Sequence, residues 1–243
     1  MTISWDKTLK TYIRNLISPD GRNTFESMPA LIQVILDKAN IRGEDTVIDV
    51  GCGWGNITRQ CAEQTKGDVI GIEPNFDNIQ EAQKKSDSSN IRYVQGAFEQ
   101  LNCAQTADVI ISSLAFHQVP YQRKSEALKN IAEVLKKTGR FILCDTMIMF
   151  DPKSEQGLFD KVYRYLLEST TPPDIYREQI APHLQNDHIY TWEDMKQYTP
   201  ENNWFYSLNE LTIWAEQSGM TVLEKTVLCP FFGVVTISHK NKI

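Results

Sequence analysis

Between Val47 and Asn56 the chain reads Val-Ile-Asp-Val-Gly-Cys-Gly-Trp-Gly-Asn. An apolar, β-branched run ends in three alternate glycines, Gly51, Gly53 and Gly55, with Asp49 two residues ahead of the first. Glycines at that spacing let the backbone turn sharply after a strand and approach a ligand with no Cβ in the way. The spacing also separates ligand classes. A dinucleotide fingerprint needs G-x-G-x-x-G, but here the third glycine falls one residue early and Asn56 stands in its place. A pyrophosphate at a helix N-terminus gains nothing from a carboxylate such as Asp49, whereas a ligand carrying an ammonium group does. The run Asp68-Val-Ile-Gly-Ile-Glu73 then ends in an acid 18 residues past Gly55. Two carboxylate oxygens can accept both hydroxyls of a ribose; otherwise Glu73 is a solvated acid at a strand end.

These residues need elements to position them, and the hydrophobic pattern provides a regular series. Helical spacing over 25–39 joins Phe25, Met28, Leu31, Ile32, Ile35 and Leu36. Beyond Gly43 we expect strand 46–50, helix 56–64, strand 69–73, helix 75–85, strands 91–95 and 108–112, helix 122–136 and strand 141–145. Gly139 is expected to close helix 122–136. This alternation predicts an α/β fold, a mostly parallel sheet with helices on both faces. Right-handed crossovers then bring the strand C-termini to one edge, where ligands bind.

The rhythm breaks over 150–206, which carries five prolines and no clear strand. These 57 residues hold 11 of the 24 aromatics, and ten acids against five bases. A small-molecule site is apolar with a few placed polar groups, so this composition fits a helical substrate cap inserted between strands five and six. Alternatively its aromatics only pack the insertion onto the core. Ser207 and Glu210 have capping-box spacing, predicting a helix to Gln217. Strands 221–228 and 232–238 complete seven. The chain thus divides into an N-terminal helical segment 1–40, a ligand-binding core 41–149, the insertion 150–206 and a closing unit 207–243.

Composition excludes several classes. A formal charge of −6 argues against non-specific binding to nucleic acid or anionic lipid. The five cysteines form no C-x-x-C pair, as in a reduced, cytoplasmic chain without a structural metal site. His183 and His188 lack third and fourth metal ligands at supporting spacing. The N-terminus does not read as a signal peptide, and no run of about 18 apolar residues spans a membrane.

The glycine run, the acid at Glu73 and the strand rhythm together resemble the class I S-adenosylmethionine-dependent methyltransferases, whose first motif is D-x-G-x-G-x-G. The resemblance implies a Rossmann-like seven-stranded sheet with its last strand antiparallel. It implies S-adenosylmethionine as cofactor, with S-adenosylhomocysteine as product, held by Asp49, Gly51, Cys52, Gly53 and Gly55, and by Glu73 and Pro74 at the ribose. Many members carry G-D-A-E after strand three, the aspartate bonding adenine. Here the chain reads Gly96-Ala97-Phe98-Glu99, so adenine falls to backbone and packing near Ala97 and Phe98.

Strand four ends Ser112-Ser113-Leu-Ala-Phe116-His117. That resembles the S-S-x-A-F-H segment of a branch of largely uncharacterised bacterial small-molecule methyltransferases, and implies that Ser112 and Ser113 face the methionine end of the cofactor. His117 is the candidate catalytic base, since neutral imidazole can take a proton near pH 7; otherwise it caps or orients the following turn. Asp145 either orients a polar substrate group or bonds the first turn of the insertion. Trp204 and Tyr206 fall where this branch places substrate-facing aromatics, and Trp5 and Tyr12 would close the site from the N-terminus. Trp54 either offers the cofactor's cation an aromatic face or plugs the helix start.

The implied activity is methyl transfer to oxygen or nitrogen of a small or medium-sized acceptor: a metabolite, natural product or modified peptide. The acidic, aromatic insertion fits a neutral or cationic acceptor with an apolar part. No nucleic-acid partner, membrane or metal is expected, and no motif gives the oligomeric state. An RNA methyltransferase would want a basic stripe, and the N-P-P-Y-type tetrad of base-methylating enzymes is replaced by Ser112-Ser-Leu-Ala. A protein methyltransferase, or a catalytically silent cofactor-binding regulator, would carry the same cofactor motifs.

Overall fold

All four residues of β1 (Val47–Val50) are buried, as expected of a central strand covered on both faces. In the computed structural model, which describes residues 28–103, 105–198 and 206–240, β1 sits in a seven-stranded sheet of order β3-β2-β1-β4-β5-β7-β6. The other strands are β2 (Val69–Glu73), β3 (Ile91–Gln95), β4 (Ala107–Ser113), β5 (Leu135–Thr146), β6 (Met220–Cys229) and β7 (Phe232–His239). Strands β1 to β5 pair in parallel, while β7 runs antiparallel to both β5 and β6. The order reverses between β1 and β4, which opens a crevice beyond their C-termini.

Helices α1 (Met28–Ala39), α2 (Asn56–Ala62), α3 (Phe76–Lys84) and α4 (Lys124–Val134) connect or flank these strands. Helix α3 starts where Asn75 accepts hydrogen bonds from the amides of Asp77 (2.8 Å) and Asn78 (3.5 Å). Helix α1 ends against Arg140, which donates to the carbonyls of Ala39 and Asn40 and so satisfies two open helix-end acceptors.

One expected boundary is corrected. Helix α4 stops at Val134, and Gly139 does not cap it, because Leu135 already belongs to β5. The register runs Ala107↔Leu135 and then Val109↔Arg140, so residues 136–139 form a bulge. A Cβ at Gly139 would lie 2.7 Å from Leu135 Cδ1 and 2.9 Å from the Asp108 carbonyl; the glycine serves this close approach.

After β5 come α5 (Gln156–Thr170), short helical turns over 173–183 and α6 (Trp192–Tyr198), then α7 (Leu208–Gln217). Ser207 and Glu210 form the reciprocal capping box that their spacing predicts. The excursion is pinned at its neck. The Ile148 amide donates to the Tyr206 carbonyl and the Leu208 amide to the Ile148 carbonyl, both at 2.8 Å.

The insertion is also a layer of the core. Phe159, Val162, Tyr163, Leu166, Trp192 and Met195 are buried in one hydrophobic cluster with Ile35 and Leu36 of α1 and Val109, Ile111 and Ile142 of the sheet. Fully burying each aliphatic or Phe side chain stabilises by about 1.5–3 kcal/mol. These aromatics therefore do pack the insertion onto the core. Trp5, Tyr12 and Trp204 lie outside the described residues.

Candidate active site

The C-terminal edge of β1, β2, β4 and β5 brings together most of the residues singled out above. Gly51, Gly53 and Gly55 have φ of 76°, 51° and 72°, all in the left-handed region. At Gly51 a Cβ would lie 2.3 Å from Ala115 Cβ, so the loop is packed hard against the turn that follows β4. At Gly53 a Cβ would meet nothing within 4 Å. The loop is therefore closed on the Gly51 side and open at Gly53.

Two carboxylates flank it. Asp49 is 1% exposed and accepts a 2.7 Å hydrogen bond from the Thr58 hydroxyl. Burial pushes it up to about 6, against the Thr58 hydrogen bonds and with a smaller contribution from Glu73. Glu73 accepts from the amide of Gly53 (3.0 Å), the amide of Asn75 (3.1 Å) and the side-chain amide of Asn78 (3.1 Å). It thus ties the glycine loop to α3, a role its spacing did not announce. Three of the roughly four acceptor sites of a carboxylate are engaged, leaving one for a ribose hydroxyl, not the expected two.

Other expected contacts are corrected. The Cys52 thiol is turned beneath the loop, where a Cβ on Gly71 would lie 2.8 Å from Sγ, and the Cys52 amide donates to the Ile72 carbonyl. Cys52 therefore shapes the loop from behind. Phe98 is 5% exposed and packs edge-on against Phe116 in the core, so its ring is not offered to adenine. The amide of Ala97 donates to the Gln100 carbonyl. Pro74 is exposed at the same edge, its carbonyl accepting from Gln95. Trp54 is half exposed, donates to Asn78 and lies under the Lys85 ammonium, 4.6 Å from its ring centroid; it neither plugs the helix start nor enters the core.

Strand β4 delivers Ser112, which is fully buried with its hydroxyl unpaired among the described residues. Such a hydroxyl is costly unless something else engages it. Ser113 points to the opposite face, level with Cys144 on β5.

Beyond β4, His117 sits in a short 3-10 turn, Phe116–Gln118. Its Nδ1 is 2.7 Å from Asp145 Oδ1, and the Tyr206 hydroxyl donates to Asp145 Oδ2 at 3.0 Å. Asp145 is 0% exposed, and each of its oxygens is held by one of these partners. Asp145 thus bonds His117 and Tyr206, and not the first turn of the insertion. Burial and the neighbouring Asp145 carboxylate push Tyr206 well above its usual range, which keeps it a phenol donor. The carboxylate fixes the proton on Nδ1, leaving the lone pair on Nε2. The His117 side chain is 20% exposed.

Sequence reasoning missed Lys124. It is 0% exposed, its ammonium donates to the Phe116 carbonyl at 2.7 Å, and it lies 4.6 Å from the ring centroids of both Phe116 and Tyr206. Burial lowers it to about 7, opposed by the carboxylates of Asp145, Glu210 and Glu99. The signal was present: Lys124 occupies the first position of the buried stripe Lys124, Ala127, Leu128, Ile131 of α4.

The insertion closes on this corner. Lys196 of α6 donates to the Tyr121 hydroxyl (2.9 Å) and to Glu210 of α7 (2.7 Å). Among the described residues no cluster of His, Cys, Asp or Glu could hold a metal, and no helix is long and apolar enough to cross a membrane. An open glycine backbone, a buried carboxylate for an ammonium, an acceptor for a ribose hydroxyl and an unpaired Ser112 hydroxyl all fit the expected cofactor.

Residues 47–139 match the family described as Methyltransferase domain. Over 145 residues the chain is 32% identical to an uncharacterized methyltransferase of Alkaliphilus oremlandii (strain OhILAs), covering 59% of this chain and 66% of the relative. The chain thus spans just under two thirds of that curated relative's length. Its fold is similar to that of the YcgJ protein of Bacillus subtilis, with a TM-score of 0.60, 17% identity, and 88% of this chain and 100% of that one covered. It is likewise similar to a DhpI–SAH complex, with a TM-score of 0.59, 16% identity and 100% of both chains covered.

Proposed function

We propose that the chain, whose residues 47–139 match the Methyltransferase domain family, is a class I S-adenosylmethionine-dependent methyltransferase that methylates an oxygen or nitrogen of a small or medium-sized acceptor. His117 is the proposed general base, and the 150–206 insertion the substrate cap. We place the activity in the cytoplasm, in keeping with five free cysteines. The cofactor supplies a methyl group already activated on a sulfonium, so the protein's work is alignment, exclusion of water and proton removal. The observation that carries this proposal is the backbone opening at Gly53, between the buried carboxylates of Asp49 and Glu73. Asp49 would hold the ammonium of the cofactor's methionine end, Glu73 a ribose hydroxyl, and Ser112 a polar group beside them.

Calorimetric titration with S-adenosylhomocysteine tests it, with NADH alongside. We expect micromolar-range binding of the first and none of the second. Glu73→Ala should weaken S-adenosylhomocysteine by a few kcal/mol at most, as for the loss of a charged hydrogen bond and of the loop tie at Gly53. Unchanged affinity would remove Glu73 from the site.

Asp49 adds a pH dependence. Its folded pKa of about 6 lies above the usual unfolded value of about 3.9, so between those values the folded protein binds more protons than the unfolded chain. The unliganded fold therefore loses stability from this group as pH rises through that window. An ammonium ligand selects the ionised carboxylate. Below about pH 6, S-adenosylhomocysteine should bind more weakly and release a proton. Titrations at mildly acidic pH in buffers of different ionisation enthalpy read this release, and it should vanish in Asp49→Asn. Buffer-independent heats in the unmodified protein would place Asp49 away from the ammonium.

A further inference from the structure

Given the methyl-transfer function proposed above, on which this rests, we infer that the acceptor nucleophile is a hydroxyl, whose proton passes to His117 Nε2 as the O–CH3 bond forms, and not an amine bound as a cation. The two acceptor classes make different demands on a protein. An amine that has lost its proton attacks with its own lone pair, and its product sheds a proton to water afterwards. An alkyl amine arrives as an ammonium, so its site needs a counter-ion that collects the cation in addition to a route for the proton shed before attack. A hydroxyl alkylated with its hydrogen still in place would give an oxonium, a far stronger acid than anything nearby, so a base must already be in position. In the balanced step the O–CH3 bond forms while the S–CH3 bond breaks. Its electron pair returns to sulfur, and the hydroxyl proton moves to Nε2 and leaves through the part-exposed imidazole.

The described residues of this corner offer the base and no counter-ion. Asp145 is closed off by His117 and Tyr206, so it acts through the imidazole only. Glu210 is committed to Lys196 and to the backbone of Ser207, and Glu99 faces Arg123 at 3.7 Å. Asp49 and Glu73 belong to the glycine loop. The Phe116 carbonyl, which could otherwise hold an ammonium, is taken by Lys124. The faces of Phe116 and Tyr206 already stack on that same ammonium. No hydrogen-bond partner of Nε2 exists among the described residues, whereas Nδ1 is fixed at 2.7 Å.

The test uses 13C-methyl-labelled S-adenosylmethionine, the full chain and paired probes differing only in the nucleophile: phenol with aniline, catechol with 1,2-diaminobenzene, and benzyl alcohol with benzylamine. Carbon-13 spectra distinguish O-methyl from N-methyl products. We expect O-methyl products, reduced by at least about 100-fold in His117→Gln, which removes the base but leaves S-adenosylhomocysteine affinity unchanged. N-methyl products, or no O-methyl product from a protein that binds S-adenosylhomocysteine, overturn the hydroxyl assignment and leave family membership intact. O-methyl products formed equally well by His117→Gln overturn it too, since the base would be idle. Failure to bind S-adenosylhomocysteine would instead defeat the function proposed above.

Discussion

Asp145→Asn should lower turnover by about 10²–10³-fold while S-adenosylhomocysteine affinity and fold are retained. The substitution removes a charge but almost no volume, and Asp145 is buried between two donors, His117 Nδ1 and the Tyr206 hydroxyl. An asparagine has one accepting and one donating edge. If its amide oxygen faced His117, the buried Tyr206 hydroxyl would lose its acceptor, which costs about 1–3 kcal/mol. The favoured arrangement keeps the oxygen on Tyr206 and turns the NH2 group towards Nδ1. The imidazole must then carry its proton on Nε2, where it can no longer accept one. Nitrogen-15 spectra of the imidazole read that tautomer directly, and a merely structural role for Asp145 would not change it. His117→Gln combined with Asp145→Asn should cost little more than His117→Gln alone, because the two residues act as a unit. Additive losses, or normal turnover in Asp145→Asn, would separate Asp145 from the chemistry.

The second large effect belongs to the glycine loop, where Gly51→Ala and Gly53→Ala should fail in different ways. Both residues have positive φ, which costs an L-residue about 1–2 kcal/mol. At Gly51 the new Cβ would also lie 2.3 Å from Ala115 Cβ, and forcing such a contact adds about 1–3 kcal/mol. Ala115 directly precedes the turn that carries His117, so relief of the clash moves the base as well. A total of about 2–5 kcal/mol is a large part of the stability of an ordinary domain. We expect a marked drop in Tm for Gly51→Ala, together with loss of S-adenosylhomocysteine binding. Gly53→Ala meets no neighbour, so it should keep most of its Tm and still lose affinity, because its methyl occupies the open side of the loop. Wild-type affinity in Gly53→Ala would show that the ligand does not approach there.

Local chemistry makes much of this protein legible in its sequence alone. Alternate glycines behind a β-branched run can be little else than a strand-to-helix turn, and all three adopt the left-handed backbone that glycine tolerates. Ser207 and Glu210 define a helix start within four residues, and the capping box forms as written. Strands β2 and β3 match their expected limits because a run of alternating or continuous apolar residues carries its own period. The end of α4 was misplaced because a bulge in pairing with β4, a partner far along the chain, decides where β5 begins.

The site divides along the same line. The sequence by itself pointed to the cofactor class and to the strand edge proposed to receive it, since both rest on residues within one loop or on spacing along one chain. Only the tertiary structure decided what the side chains do. It set Asp145 on His117, 28 residues away, and Tyr206 on Asp145, 61 residues away. It turned Cys52 and Phe98 inward and sealed the Lys124 ammonium between two rings. The physical reason is that backbone conformation and hydrophobic period are local properties, whereas burial, hydrogen-bond partnership and the charge state they impose arise only when distant strands and helices close the same space.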